Sequence, residues 1–206
     1  MIITCSKTLQ TEIYRKAIHL SSLWMPLFLL LADRNISIIV FLALLFCNLA
    51  TEYSAYKYRR SSFIGRSFRK MFFKTLRPRE VIENKFTPSG AVYVLLAALS
   101  CAVCFSKEAG AMALTVMLIA DTMAALVGRF CGIFRFHNGK SLEGTSAFFI
   151  SAMLILLSFA HQCPLPVIFS TAIVATFVEF FEDKLKLDDN LSIPLAVGFM
   201  LNFFYM

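Results

Sequence analysis

The chain has 206 residues, of which 58% are hydrophobic and 16% are charged, and its formal net charge is +7. Because an ordinary soluble domain is about 25% charged, this composition excludes that class and favours a lipid environment. The basic residues are concentrated between apolar runs, so the positive charge indicates contact with a membrane surface, and we expect no nucleic-acid partner.

Seven apolar runs of about 16 to 22 residues carry few or no charges, which is typical of transmembrane helices. We therefore predict an all-α, polytopic membrane protein that forms a single domain over residues 1–206. The first run is interpreted as a span and not as a signal peptide, because no A-x-A-like cleavage site precedes Asp33. The predicted spans are 18–32, 36–52, 88–105, 110–128, 145–161, 164–181 and 191–206.

The distribution of basic residues predicts the orientation of these spans. Eighteen of the 20 Lys and Arg residues fall in connections on one side, and only Arg34 and Lys107 fall on the other. Because basic residues resist translocation, the N-terminus is predicted to be cytosolic.

The connection 57–87 contains ten of these basic residues. Its apolar residues Ile64, Phe68 and Phe72 recur at helical spacing, which predicts an amphipathic helix lying on the cytosolic leaflet. An ordinary basic anchor that only fixes the topology explains the same charges equally well.

Ionisable groups inside spans cost at least about 2.5 kcal/mol each at mid-bilayer, and a functional cavity is their usual explanation. Here they recur towards the predicted cytosolic ends of the spans, which predicts one polar site facing the cytosol. Asp121 shares its predicted span with no Lys or Arg, so its burial requires a partner or an ion. Glu52 has an alternative explanation, a surface ion pair with Lys57 or Arg59. The predicted site-lining residues are Arg15, Lys16, His19, Asn48, Glu52, Asp121, Glu179, Asp189 and Asn190.

Small residues follow Asp121 on neighbouring helical faces. Ala124, Gly128 and Gly132 would let another helix approach closely, or would let a ligand reach the backbone. Of these two readings, close packing is favoured.

The segment GKSLEGT at 139–145 has the composition of a phosphate-binding turn. A Walker motif is excluded, because Phe134 stands where that motif requires glycine. Backbone N–H groups, a lysine charge and hydroxyl donors can still bind phosphate, and Thr145 is predicted to begin the fifth span and add a helix dipole. The predicted phosphate-binding residues are Gly139, Lys140, Ser141, Gly144 and Thr145.

Carboxylates near such a turn would repel a nucleoside triphosphate unless a divalent cation bridges them. We therefore predict Mg²⁺, with Asp121, Glu179 and Asp189 as its ligands and Glu143 as a further candidate. Asp121 has an alternative role as the base that accepts a hydroxyl proton. Glu182 and Asp188 are interpreted as solvated loop charges.

Together these motifs resemble those of the polyprenol kinase family, which includes dolichol kinase, phytol kinase and CTP-dependent diacylglycerol kinase. The resemblance extends from about residue 12 to residue 200. The motifs are Glu12-x-x-Arg15-Lys16-x-x-His19, Asp121-Thr122-x-Ala124-x-x-x-Gly128-x-x-x-Gly132, Gly139-Lys140-Ser141-x-Glu143-Gly144-Thr145, and Glu179 with Asp189-Asn190-x-x-x-Pro194.

The resemblance implies phosphorylation of a lipid alcohol by CTP at the cytosolic face, with Asp121, Lys140 and Glu143 as catalytic residues. The alcohol would be phytol, another prenol, a polyprenol or diacylglycerol, and the short chain is closest to the phytol kinase-like members. A CDP-diacylglycerol synthase-like cytidylyltransferase is the first alternative, although the Pro-Gly-His-Gly-Gly stretch of those enzymes is missing. An ion-coupled transporter is the alternative of another class, since seven spans with buried acids suit a carrier.

Overall fold

The computed structural model describes residues 13–57, 88–182 and 187–205. This described part is helical, with one isolated bridge between Arg135 and Ser141 and no strand. The amphipathic helix predicted within 57–87 lies outside the described residues beyond Lys57, as do Glu12 and Asp183. The helices are α1 (13–21), α2 (Trp24–Leu31), α3 (Arg34–Lys57), α4 (Gly90–Cys104), α5 (Lys107–Phe130), α6 (Leu142–Phe159), α7 (Leu165–Phe180) and α8 (Asp189–Tyr205).

Three of the described helices are long and apolar enough to cross a membrane, namely Arg34–Ser54 within α3, α5 and α6. The helices α4 and α7 are apolar but shorter. These helices confirm the prediction of an all-helical protein and indicate membrane association. Membrane crossing by the other predicted spans stays a prediction.

The first predicted span, 18–32, is not one continuous helix. Residues 22–23 form a turn between α1 and α2, and α2 has only eight residues. Pro26 explains the break, because a proline cannot donate a hydrogen bond to Ser22 four residues earlier and its ring clashes with that carbonyl. The Ser22 carbonyl instead accepts a 2.9 Å hydrogen bond from the backbone N–H of Met25.

The helix α5 lies at the centre of the bundle and packs against α2, α4, α6 and α8. Small residues in its first half, such as Gly110, Ala111 and Ala113, allow this close approach. The helix α3 packs mainly on α4, and its outer face exposes Ile36, Ile39 and other apolar side chains as a lipid-facing surface would.

Arg34 and Lys107, the two basic residues predicted to lie on the side opposite the cytosol, lie at one end of the bundle. Arg34 donates a 3.0 Å hydrogen bond from Nε to the carbonyl of Ala102 at the end of α4, and Lys107 donates from Nζ to the carbonyl of Ala32 just after α2. Both cations therefore complement the negative carboxyl end of a helix. At the opposite end of the antiparallel α3–α4 pair, Glu52 meets Ser89. We refer to this second end as the polar end.

Candidate functional site

A cavity of about 500 Å³ lies between α1, α3, α4 and α5. At the polar end its lining carries charged and amide groups from four helices, namely α1, α3, α5 and α8, and further along it is apolar. Seven residues that the sequence predicted to line or form a polar site do line this cavity. They are Arg15, Lys16, His19, Asn48, Glu52, Asp121 and Asn190.

Asp121, on α5, is the acid at the centre of the lining, and it is almost completely buried. Its Oδ2 accepts a 2.5 Å hydrogen bond from Nζ of Lys16, and Nε2 of His19 lies 3.4 Å from the same oxygen. The spacing of Lys16 and His19 on α1 places both on one helical face, towards α5. The partner that burial of Asp121 required is therefore a cation from another helix.

Glu52, near the end of α3, is also buried. It accepts a 3.1 Å hydrogen bond from the backbone N–H of Ser89 and another from the Ser89 hydroxyl. Ser89 is the N-cap of α4 and lines the cavity, but sequence analysis missed it. Its position directly after Thr87-Pro88 was the available signal, because serine is a preferred residue before a first helical turn.

The lining changes character along the length of α3. Glu52 and Asn48 lie at the polar end, and Leu44 lies two turns further into the bundle, about 12 Å from Glu52 at 1.5 Å per residue. On α4 the order is the same, because Ser89 is followed by the apolar Val94 and Leu95. The cavity is therefore polar at one end and apolar at the other.

A second group of ionisable residues, which we call the Lys140 cluster, consists of Lys140, Glu179, Glu182, Asp188 and Asp189. Nζ of Lys140 donates to Oε1 of Glu179 at 2.7 Å and to the Glu179 backbone carbonyl, and it lies 3.7 Å from Oε2 of Glu182. Carboxylate oxygens of Glu182, Asp188 and Asp189 lie within 4.8 Å of one another. The cluster therefore combines one cation with a close set of oxygen ligands.

The predicted metal ligands are divided between the two groups. Asp121 lies in the cavity, Glu179 pairs with Lys140, and of the three only Asp189 belongs to the close set of carboxylates. The structure therefore does not bring Asp121, Glu179 and Asp189 together in one close set of carboxylates, and their role as metal ligands stays a prediction. Glu182 and Asp188, interpreted as solvated loop charges, complete the set, because the start of α8 lies beside the end of α7.

Asn190 connects the two groups. Its Nδ2 donates a 2.5 Å hydrogen bond to Oδ1 of Asp188, while the residue also lines the cavity. Asp121 and Glu179 are themselves close enough to interact electrostatically. The cavity and the Lys140 cluster are therefore neighbouring parts of one polar region.

The turn at 139–145 does not present the free backbone N–H groups that the sequence predicted. Gly139 has a φ of +80° and donates its N–H to the carbonyl of Phe136, and the N–H of Lys140 donates to Oδ1 of Asn138. The N–H of Gly144 donates to the hydroxyl of Ser141, the N-cap of α6. The helix thus begins at Leu142, not at the predicted Thr145, whose N–H bonds to the Ser141 carbonyl.

Close packing also surrounds the small residues of this region. A Cβ atom added to Gly144 would lie 2.9 Å from the carbonyl oxygen of Ala124, and one added to Gly128 would lie 2.9 Å from the Ser141 hydroxyl. The packing interpretation of Gly128 and Gly132 is confirmed, since Gly132 also faces Ser141. The space beside Gly128, Gly132 and Gly144 is therefore filled by protein atoms.

Glu143, which the sequence assigned to catalysis, lies in the first turn of α6 and does not line the cavity. Its Oε1 accepts a 3.2 Å hydrogen bond from the backbone N–H of Phe134. This contact ties the turn to the start of α6. Of the predicted catalytic residues, Asp121 lies in the cavity and Lys140 in the adjoining cluster.

Substitution of Gly144 by alanine tests the packing between α5 and α6. We expect Gly144→Ala to lower the midpoint of thermal unfolding in detergent, because overpacking costs about 1–3 kcal/mol and the Ala124 carbonyl is fixed in its helix. The gain of about 1 kcal/mol in helix propensity opposes this effect. Ser146→Ala, at an exposed position of the same helix, is the control. A midpoint above that of the native protein would contradict the close contact, because only the gain in helix propensity would then remain.

Two uncharacterized proteins are similar in sequence to this chain. An uncharacterized protein of Rickettsia prowazekii is 31% identical over 186 residues, which cover 88% of this chain and 89% of the relative. An uncharacterized protein of Methanocaldococcus jannaschii is 37% identical over 87 residues, or 42% of this chain and 44% of that protein. No protein-family profile matches the chain, and no solved structure matches it.

Proposed function

We propose that this chain, which belongs to the same protein family as the uncharacterized Rickettsia prowazekii protein, catalyses CTP-dependent phosphorylation of a membrane lipid alcohol. The acceptor would be a prenol such as phytol, a polyprenol or diacylglycerol. The reaction type and the nucleotide come from the motif resemblance, and the geometry of the polar region supports them. The cavity would bind the alcohol acceptor, and the Lys140 cluster would bind the phosphate donor.

The observation that carries this proposal is the change from polar to apolar along one cavity. A lipid alcohol has one hydroxyl and a long hydrocarbon chain, and its binding site needs the same polarity in the same order. The hydroxyl would lie beside Asp121 and His19, with the chain along Leu44 and Leu95. A water-soluble acceptor would have no apolar group to place in the apolar half of the cavity.

The adjoining Lys140 cluster supports a donor with phosphate groups. Three carboxylates within 4.8 Å of one another form an all-oxygen donor set, which suits Mg²⁺, and Glu182, Asp188 and Asp189 would hold it. When bound there, the cation would neutralise negative charge on the triphosphate. Lys140, held by Glu179 beside this set, would supply a positive charge to the same phosphates.

The chain's own residues would act mainly by positioning the reactants, as is usual for phosphoryl transfer. The acceptor oxygen forms a bond to the γ-phosphorus while the bond to the β–γ bridging oxygen breaks, so CDP leaves and a phosphomonoester remains. The hydroxyl proton passes to the Asp121 carboxylate, which Lys16 and His19 hold in place. Arg15 and Lys16 add positive charge where the transferred group passes.

The same proposal includes seven spans, a cytosolic N-terminus and a site that opens to the cytosol. The separation of charge along the bundle supports this orientation. Arg34 and Lys107 lie at one end, whereas Lys16 and Lys140 lie at the polar end, which the positive-inside rule assigns to the cytosol. CTP and Mg²⁺ would then reach the polar region from the cytosol, and the alcohol from the bilayer.

The described cavity gives less support to an ion-coupled carrier. A carrier needs polar groups along its route through the membrane. Here the lining becomes apolar at Leu44, Leu95 and Trp24. A path of this kind would stop a charged substrate within the bundle.

A screen of acceptors with the purified protein tests the function. We expect transfer of the terminal phosphate of CTP to at least one lipid alcohol among phytol, farnesol, dolichol and diacylglycerol, with slower transfer from ATP. Transfer should stop when EDTA removes Mg²⁺ and resume when Mg²⁺ is restored, because the acids repel an unbridged triphosphate. Absence of transfer to every alcohol, with the protein folded and Mg²⁺ present, would refute the proposal.

A further inference from the structure

The chain contains a single tryptophan, Trp24, and this residue lines the cavity at its apolar end. The lining extends to Met25 on α2, to Leu44 on α3 and to Leu95 on α4. One helical turn beyond these positions lie Phe28 on α2 and Phe41 on α3. Two further aromatic side chains therefore lie next to Trp24 at the apolar end of the described cavity.

The aromatic contacts at this level are extensive. The ring centroid of Trp24 lies 6.0 Å from that of Phe28 and 6.2 Å from that of Phe41, and the two phenylalanine rings lie 5.9 Å apart. Phe41 is completely buried. Edge and tilted contacts at these distances are favourable and hold the rings in fixed positions. They place three aromatic rings beside the apolar end of the lining, where Trp24 is 43% exposed.

The level of Trp24 in the bundle argues against an ordinary interfacial tryptophan. Lys107 contacts Ala32, so these residues mark one level at the end opposite the polar end. Trp24 precedes Ala32 by eight residues, about 12 Å along a helix, and Asp121 follows Lys107 by fourteen, about 21 Å. Along the bundle, Trp24 thus lies about 9 Å further from the polar end than Asp121 and about 12 Å from the level of Ala32. Membrane-anchoring tryptophans, by contrast, lie at the interface.

We propose that Trp24, supported by Phe28 and Phe41, closes the acceptor cavity and limits the chain length of the alcohol that it binds. This inference rests on the proposed function, because it assumes that the cavity holds a lipid alcohol. The hydroxyl lies beside Asp121 and the chain runs towards the indole ring. Alcohols whose chains exceed this depth must leave the cavity sideways between helices or bind with the hydroxyl displaced from Asp121.

The fluorescence of Trp24 reports occupancy of the cavity without any turnover. We expect a straight-chain alcohol brominated at its tail to quench Trp24 strongly, and the same alcohol brominated beside its hydroxyl to quench it weakly. An excess of the unbrominated alcohol should reverse the quenching, which separates a saturable site from partition into detergent. Equal quenching by both brominated alcohols, or quenching that competition does not reverse, would overturn the proposed placement of the chain.

Chain-length selection is tested by thermal stabilisation, since a ligand that binds the folded state raises its unfolding midpoint. Across alcohols from octanol to eicosanol, we expect the stabilisation of the native protein to reach a maximum and then fall. Trp24→Ala should move this maximum to longer alcohols, whereas Trp24→Phe should move it less. Leu27→Ala, at an exposed position of α2 outside the lining, should leave it unchanged.

The inference is overturned if Trp24→Ala and the native protein show the same dependence of thermal stabilisation on the length of the alcohol. The two proposals can fail separately. Quenching and a shifted maximum without any phosphate transfer would retain the chain-length role and reject the kinase. Transfer with an unshifted maximum would retain the kinase and reject this role for Trp24.

Discussion

Replacement of Asp121 by asparagine is expected to lower phosphate transfer by about 10²–10⁴-fold, the range for loss of a positioned general base. The asparagine keeps an oxygen that can accept from Lys16, so the arrangement of α1 against α5 should change little. It removes the charge that would accept the hydroxyl proton. Initial rates with saturating CTP and alcohol measure the loss, which should appear in kcat.

A double variant separates this chemical role from folding. Lys16→Met with Asp121→Leu removes both members of the buried ion pair, and such a replacement is often neutral or stabilising. We expect this variant to unfold at or above the native midpoint and to be inactive. Near-native turnover in either Asp121 variant would remove Asp121 from the mechanism.

Replacement of Lys140 by alanine should have the second largest effect. We expect a loss of about 10²–10³-fold in kcat/KM for CTP, the cost of removing one preorganised charge that stabilises the transition state. The variant also leaves Glu179 and Glu182 without this cation, so the cluster repels the triphosphate more strongly. Lys140→Arg keeps the charge and should recover part of the rate.

A purely structural role for Lys140 is the alternative, because its contacts also hold the turn against the end of α7. Asn138 makes a comparable contact, a 2.9 Å hydrogen bond from Nδ2 to the carbonyl of Phe180. If Lys140 only anchors the turn, Asn138→Ala and Lys140→Ala will impair transfer equally. The proposed role of Lys140 predicts a much smaller loss of transfer rate for Asn138→Ala than for Lys140→Ala. The KM of Asn138→Ala for CTP should change by no more than a few-fold.

Most of the polar residues that line the cavity could be predicted from the sequence. Polar residues inside apolar runs are costly to bury, so their common position near one end of several helices was enough to predict that they meet. Asn190 is widely separated in the chain from Asn48 and Glu52, but all three line the same space. That prediction needed no knowledge of which helices are neighbours.

The pairing of these groups could not be predicted, because it depends on how helices pack across the bundle. Lys16, which precedes the turn before Pro26, meets Asp121 on α5 although 105 positions separate them in the chain. Glu182 and Asp188 resembled solvated charges in a polar connection, and only the return of the chain from α7 to α8 brings them to Asp189. The helix ends could not be predicted closely either, since caps such as Ser141 shift a boundary by a few residues.

The Gly139–Thr145 turn was predicted to bind phosphate from its composition alone. Glycine, serine and threonine are also the residues of close helix contacts and N-caps, and composition does not separate the two uses. In the structure Gly144 and Ser141 serve packing and capping. Lys140 is the member of this turn whose side chain extends to the acids.

The most direct test of the kinase proposal follows two labels in CTP through the reaction, one in the α-phosphate and one in the γ-phosphate. After incubation of the purified protein with Mg²⁺ and a lipid alcohol, we predict the γ-label in the extracted lipid and the α-label in CDP. A parallel incubation replaces the alcohol with phosphatidic acid, the lipid phosphate that a CDP-diacylglycerol synthase-like enzyme would accept. Entry of the α-label into that lipid, with release of pyrophosphate and no γ-label in any alcohol, would contradict the kinase and identify a cytidylyltransferase. Neither label in any lipid would contradict both.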